Sequence, residues 1–345
     1  MDILLLVVSF GVILFGAELF TNGIEWFGRK LNLSEGAIGS VLAAVGTALP
    51  ETMIPFIAIV LSGGISGGEV GVGAILGAPF MLATLAMFVT GTAVFLMRKR
   101  REAGETLAVN PGVLSHDMAY FAVAYSIAIG AALLPVDFEW PRRLVAVVLL
   151  SIYALHVFGH LKAEAAAHHA LEPLRFHRFD RGAPQHPEPP RFFIVCVQVL
   201  VALACIIGGA WGFVRAVEDL SASMGLNPTL MALVIAPVAT ELPEKLNSVI
   251  WVRRGKDTLA MGNITGAMVF QSAIPTSIAL VFAPALWSVA GAGIAFLSAG
   301  IAFASAAAIF VPMVIRNRLT ARTLLIGGAF YLTYLAIVIA TLAHA

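Results

Sequence analysis

Ten apolar runs, each long enough to cross a bilayer, occupy most of the chain: 2–27, 34–61, 69–97, 117–135, 141–161, 192–215, 227–252, 258–283, 285–314 and 321–343. About 20 residues at helical rise cover about 30 Å of hydrocarbon, so runs of this kind read as membrane spans. A backbone in lipid must satisfy its own hydrogen bonds, and apolar runs of this length do so as helices. The fold class is therefore an all-α integral membrane protein with ten transmembrane helices. Composition agrees, because only 12% of the 345 residues are charged, against about 25% in soluble domains.

Several function classes fall away at this point. There is no Walker motif and no soluble segment large enough to hydrolyse nucleotide, so no enzyme and no cofactor are expected. A net charge of +1 gives no basic face for nucleic acid; the expected partners are inorganic cations and the lipid bilayer. Cys196 and Cys205 stand nine residues apart in one apolar run, about 13 Å along a helix, too far for a disulfide. Asp2 occupies the place where a secretory signal carries basic residues. The first run also outlasts the usual signal core, so it is expected to be a retained span.

The basic residues sort by side. Counting the loops between runs, the odd ones hold Arg29 and Lys30; Arg98, Lys99, Arg100 and Arg101; Lys162, Arg175, Arg178, Arg181 and Arg191; Arg253, Arg254 and Lys256; and Arg316, Arg318 and Arg322. The even loops hold only Arg142, Arg143 and Arg215. Cytoplasmic loops carry the excess of Lys and Arg, so both termini are expected outside and the 162–191 loop in the cytoplasm, with the chain in a bacterial-type plasma (inner) membrane. Lys245 belongs to no loop and falls inside a run.

The Pro-, His- and Arg-rich segment 162–191 divides the runs five and five. Five is odd, so the second half enters the membrane with the opposite orientation, the layout of an inverted-topology transporter. The expected units are a first five-helix repeat over 1–161, the cytoplasmic segment 162–191, and a second repeat over 192–345. Sliding the chain by 193 residues supports the repeat. It brings Gly16-Ala17 onto Gly209-Ala210, Leu33 onto Leu226, and Thr47-x-Leu49-Pro50-Glu51 onto Thr240-x-Leu242-Pro243-Glu244. After a four-residue deletion, Gly73-x-x-x-Gly77 aligns with Gly262-x-x-x-Gly266.

Those repeated motifs carry the chemistry. Glu51 and Glu244 fall near the middle of apolar runs, where an ionised carboxylate must be paired, solvated or functional. Thr47 and Thr240 precede them by four residues and so share their helix faces. Pro50 and Pro243 have no N–H to give, which frees the carbonyls of Gly46 and Ala239. Carboxylate, hydroxyl and carbonyl oxygens are hard ligands that suit Na⁺ and Ca²⁺. Two half-sites of this kind, meeting at the midplane, make a cation site.

The motifs resemble the two alpha-repeats of the cation/Ca²⁺ exchanger superfamily, which read Gly-Thr/Ser-Ser-Leu-Pro-Glu in the second and seventh spans and Gly-Asn-x-x-Gly-Ser-Asn in the third and eighth. Here the stretches 39–80 and 232–271 hold Gly46-Thr47-Ala48-Leu49-Pro50-Glu51 and Ala239-Thr240-Glu241-Leu242-Pro243-Glu244, followed by Gly73-Ala74-Ile75-Leu76-Gly77-Ala78-Pro79 and Gly262-Asn263-Ile264-Thr265-Gly266-Ala267-Met268. The resemblance implies alternating-access exchange of Ca²⁺, or a similar divalent cation, against Na⁺ or H⁺, with Glu51 and Glu244 as central ligands. This sequence departs from the pattern in the third span, where Ala74, Ala78 and Pro79 supply no side-chain oxygen. From the eighth span Asn263 does, with Thr265 and Gln271 as further polar groups. The serine beside each threonine has become Ala48 in one half and Glu241 in the other.

Lys245 stands four residues after Glu241, the spacing of a helical ion pair. Pairing would leave Glu51 and Glu244 to match one divalent ion or two protons; alternatively Lys245 acts in coupling as a tethered cation. Loss of neutral oxygens, and the preference of buried carboxylates for their neutral form, move the expected counter-ion from Na⁺ to parity with H⁺. Glu18 and Asn22 share a face of the first span and could line an access path, or cap and bridge helices. His156, His160, Glu164 and His168 recur every four residues, which suits either a regulatory metal or a polar helix end. The expected function is a secondary cation antiporter. The alternative is a non-transporting cation sensor or accessory protein on the same fold.

Overall fold

The computed structural model describes residues 2–56, 59–60, 65–135, 139–163, 171–179, 190–223, 241–289 and 293–344. Its helices are α1 (Asp2–Lys30), α2 (Ala44–Phe56), α3 (Ile65–Met81), α4 (Met87–Met97), α5 (Pro111–Ala132), α6 (Glu139–Lys162), α7 (Phe192–Ser223), α8 (Leu242–Arg253), α9 (Asp257–Phe282), α10 (Gly293–Arg316) and α11 (Ala321–His344). Two π-helical stretches interrupt the order: Ala37–Ala43 runs into α2, and Leu82–Ala86 joins α3 to α4 as one span. The described residues are almost entirely helical. Among the described residues, eight helices are long and apolar enough to cross a membrane.

One expected span is not a single regular α-helix: the run 34–61 holds the π-stretch before changing to α2. Of the run 227–252 the described part is 241–252, where α8 starts at Leu242 with Pro243 in its first turn. Both runs carry Leu-Pro-Glu. Proline cannot close the bond to the residue four before it, and π-turns collect at functional sites. The fourth span also starts earlier than expected, at Pro111 instead of 117. Asn110 caps it by accepting bonds from the amides of Gly112 (2.9 Å) and Val113 (3.4 Å), with Pro111 in the first turn. This shift places His116 and Asp117 inside α5.

Large apolar side chains such as Leu96, Trp140, Phe193 and Ile315 point outward, while Thr47, Asp117, His156, Asn263 and Gln271 are buried. That inversion of the soluble pattern is what a lipid-facing surface with a polar interior requires. α9 is the central element: 83% of its most apolar stretch is buried, against 22% for α6. α1 and α7 pack along one another, with Gly16 against Cys205 and Ile206, and Gly209 against Ser9 and Ile13.

The loops meet at two ends. At one end, a two-stranded antiparallel ladder joins Thr106–Leu107 (β1) to Leu319–Thr320 (β2). There Arg101 donates to the Val252 carbonyl at 2.6 Å and pairs with Asp257 at 2.5 Å, and the Ala108 amide donates to the same carboxylate at 2.7 Å. Lys256 pairs with Glu25, which also accepts from Trp251 Nε1 at 2.9 Å. The loops that carry Arg101, Lys256 and Arg318 are thus gathered at this end. At the other end buried Arg142 donates at 2.6 Å to the carbonyls of both Leu134 and Pro284, tying the α5–α6 junction to the α9–α10 junction.

Candidate cation site

The site forms where α9 crosses the π-stretch and α2. The crossing is unusually close: a Cβ on Gly266 would lie 2.1 Å from the Ser40 carbonyl oxygen. Only glycine permits that approach, and it brings Thr47 and Glu51 of one half against Asn263 and Gln271 of the other. Thr47 Oγ1 lies 3.0 Å from the Ala43 carbonyl, its i−4 partner, and 3.3 Å from Asn263 Oδ1. Asn263 Nδ2 donates to the Glu244 carbonyl at 3.4 Å. Gln271 Nε2 donates to Glu51 Oε2 at 2.9 Å. Gly46 faces α1 and α7, where a Cβ would meet Phe20 at 2.9 Å and Leu203 at 3.3 Å.

Glu51 and Glu244 are both buried and lie within electrostatic reach of one another. Among the described residues, no donor meets Glu51 Oε1 or either carboxylate oxygen of Glu244 at full hydrogen-bond geometry, although the Thr47 hydroxyl and the Glu51 carboxyl stand beside Glu244. A buried acceptor left unsatisfied costs about 1–3 kcal/mol, and more when charged. Three such oxygens stand together here among the described residues. Asn247, one turn after Glu244, is also fully buried, and among the described residues neither of its amide atoms has a partner. The spacing on α8 could have pointed to it, since three residues place it on the Glu244 face.

Glu241 and Lys245 do form a pair. Lys245 Nζ donates to Glu241 Oε2 at 3.0 Å and to the Glu241 carbonyl at 3.3 Å, and both side chains are buried. Ala239 and Thr240 lie outside the described residues. Thr265 donates away from this site, to Asp117 Oδ2 at 2.5 Å, because it sits on the α9 face turned toward α5.

Glu18 and Asn22 both make contacts between helices and segments. Glu18 Oε1 accepts from Arg175 (2.9 Å) and Arg254 (2.5 Å). Asn22 accepts from the Arg175 amide at 3.0 Å and from Gln198 at 2.9 Å, and donates to the Pro173 carbonyl at 3.3 Å. Their contacts fasten α1 to segment 171–179 and α8, the bridging alternative. His156 and His160 are buried and converge with His116 and Asp117; Glu164 and His168 lie outside the described residues.

A family model described as sodium/calcium exchanger protein matches residues 1–162 and 194–342, covering both halves. The chain belongs to the sodium/calcium exchanger family. Within reach of this family membership stand two relatives. CaxA of Alkalimonas amylolytica, named as a candidate antiporter, is 23% identical over 300 residues, 83% of this chain and 82% of CaxA. The uncharacterized membrane protein MJ0091 of Methanocaldococcus jannaschii is 21% identical over 273 residues, 76% of this chain and 78% of that protein. Solved structures of the sodium-calcium exchanger NCX_Mj share the fold. One, soaked without Na⁺ and Ca²⁺, aligns with a TM-score of 0.72 at 15% identity over 97% of this chain and 98% of that one; another, soaked with 2.5 mM Na⁺ and 0.1 mM Ca²⁺, gives 0.70 at 16% over 97% of each.

Proposed function

We propose that this exchanger-family chain is a secondary active cation antiporter, moving Ca²⁺ or a similar divalent cation against Na⁺ or H⁺ by alternating access. The observation that carries the reading is the set of three carboxylate oxygens on Glu51 and Glu244, buried at the crossing of α2 and α9, that have no hydrogen-bond partner among the described residues. The two carboxylates, the Thr47 hydroxyl and the Asn263 amide oxygen supply six oxygens before any backbone carbonyl of Gly46 or Ala239, or the Thr240 hydroxyl, is added. That number falls within the range of about 6–8 that Ca²⁺ accepts.

The coupling follows from charge. With Glu241 neutralised by Lys245, the site carries two negative charges, matched by one divalent ion or two monovalent ones. Bare, it is too costly to occlude in low dielectric. The protein therefore changes access only when the carboxylates are neutralised, which is the condition for exchange. The repeat supports a 5+5 inverted layout of ten spans over the 1–161 and 192–345 halves, with segment 162–191 and the basic loops on the cytoplasmic side. Under the 193-residue shift, Gly16 corresponds to Gly209 and Ile13 to Ile206; in the α1–α7 packing Gly16 meets Ile206 and Gly209 meets Ile13. Reciprocal contacts of this form are those of a pseudo-two-fold axis. α1 and α7 are then the helices placed to slide across the site.

The halves are not equivalent at the site. By the same alignment with its four-residue deletion, Gln271 corresponds to Leu82 and Asn263 to Ala74. Glu51 has an amide donor from α9, whereas the position related to that donor in the first half carries no polar group. This asymmetry favours a single divalent site centred nearer Glu244. The missing oxygens at Ala74 and Ala78 also motivate the second reading, a cation-binding accessory protein without turnover. Net flux in proteoliposomes separates the two.

The Glu241–Lys245 pair makes its own prediction. Glu241→Gln leaves a buried ammonium without its counter-charge and is expected to destabilise the protein by about 3–5 kcal/mol. Glu241→Gln/Lys245→Met removes both charges and is expected to recover most of that loss in thermal unfolding in detergent. A double variant no more stable than the single one would contradict the pairing.

A further inference from the structure

A second cluster of ligands lies apart from the Glu51 and Glu244 carboxylates, where α5 begins and α6 ends. His116 and Asp117 come from α5, and His156 and His160 from successive turns of α6. One ligand atom from each lies within 4.8 Å of all the others. His160 Nε2 is 2.6 Å from Asp117 Oδ1, and Nδ1 of both His116 and His156 is 3.9 Å from the same oxygen. A tetrahedral ion with bonds of about 2.0 Å sets neighbouring ligand atoms about 3.3 Å apart. The observed separations straddle that value, so side-chain shifts of under about 1 Å close the shell.

Hydrogen bonding accounts for His160 and Asp117 but leaves ring nitrogens of the cluster over. His156 is fully buried beside the Ser40 backbone, yet among the described residues neither of its ring nitrogens meets a partner at full hydrogen-bond geometry; nor does the buried His116 Nδ1. Imidazoles inside a membrane protein are costly when unsatisfied, and here the unsatisfied nitrogens converge on one carboxylate oxygen. Gly159 makes room for the arrangement, since a Cβ there would stand 2.7 Å from His116 Nε2. His116 keeps 31% of its side chain exposed, which leaves the cluster a way in.

The far side of Asp117 is already braced. Its Oδ2 accepts from Ser40 Oγ at 2.7 Å and from Thr265 Oγ1 at 2.5 Å. Outer bonds of this kind orient a ligating carboxylate and tune its metal. Three imidazole nitrogens with one carboxylate form a donor set for zinc-class transition metals, not for Ca²⁺, which prefers an all-oxygen shell.

The geometry points to a transition-metal site made of His116, Asp117, His156 and His160, separate from the transported ion and selective for a zinc-class divalent cation. An ion held there would tie α5 and α6, through Asp117, to the π-stretch at Ser40 and to α9 at Thr265. Those are the two elements whose crossing positions Thr47 and Asn263.

The test is Zn²⁺ titration of the purified full-length protein in detergent, with its affinity tag removed and Ca²⁺ in excess, followed by calorimetry. One Zn²⁺ per chain is expected at this site, and Co²⁺ in its place should give the intense visible bands of four-coordinate nitrogen and oxygen ligation. His156→Leu removes a ligand, and with thermal unfolding in detergent as the check on its fold, this binding event should vanish. Ser40→Ala should weaken it by about 10–100-fold by loosening Asp117. Absence of stoichiometric Zn²⁺ in the wild type, or equal affinity and an unchanged Co²⁺ spectrum in His156→Leu, would overturn the assignment and leave a proton-and-hydroxyl network only.

Discussion

Proteoliposomes carrying the Glu51→Gln/Glu244→Gln double variant are expected to accumulate Ca²⁺ no faster than protein-free vesicles. A divalent ion surrenders its hydration shell on entering the site, and only charged oxygens compensate for that loss. The double variant keeps Thr47, Asn263 and Gln271 but removes both negative charges. Loss of two charge-assisted contacts, at about 1.5–3 kcal/mol each, weakens cation binding by at least about 100-fold. Stability should move the other way or stay level, because two buried carboxylates that repel one another become neutral amides of the same shape. That opposition separates a binding defect from a folding defect. Of the single variants, Glu244→Gln is expected to be the more severe. Among the described residues neither Glu244 oxygen meets a donor at full hydrogen-bond geometry, whereas Glu51 Oε2 already accepts from Gln271. Ca²⁺ uptake and thermal unfolding on the same preparations check all three outcomes.

The second large effect is expected from one methyl group. In Gly266→Ala the new Cβ would stand 2.1 Å from the backbone carbonyl oxygen of Ser40, and no rotamer relieves a clash between backbone and Cβ. The π-stretch and α9 must move apart, at about 1–3 kcal/mol for overpacking of this kind. Separation also lengthens the contact of Thr47 with Asn263 and releases Ser40 from Asp117, so ion binding should fall together with stability. Gly300→Ala on α10, where a Cβ meets nothing within 4 Å, is the matched control and should behave as wild type. A Gly266→Ala protein with wild-type unfolding temperature and flux would show that the crossing is looser than described.

Much of the architecture was legible because a membrane makes patterns long. Apolar runs of span length predict the helices, eight of which are long and apolar enough to cross a membrane among the described residues. The i,i+4 spacing of Glu241 and Lys245 correctly anticipates their bond, since it depends on one helix alone. What escaped depends on contacts between helices. Nothing in the sequence says that Asp117 faces Ser40 and Thr265, or that His116 joins His156 across two helices. The Asn110-Pro111 pair is a helix-start signal, and it places Asp117 inside α5 and not at a span boundary. Glu18 and Asn22 share the same limit. Their shared helix face was readable, but whether that face meets solvent, ion or the segment 171–179 is decided by tertiary packing.

The central claim is that the paired carboxylates serve exchange and not binding alone. It is tested most directly by Ca²⁺ uptake into proteoliposomes of the purified protein, driven separately by an outward Na⁺ gradient and an outward H⁺ gradient. The account predicts accumulation above protein-free vesicles under at least one gradient, abolished when that gradient is collapsed. Stoichiometric Ca²⁺ binding with no gradient-driven accumulation under either condition would contradict it and establish the accessory reading.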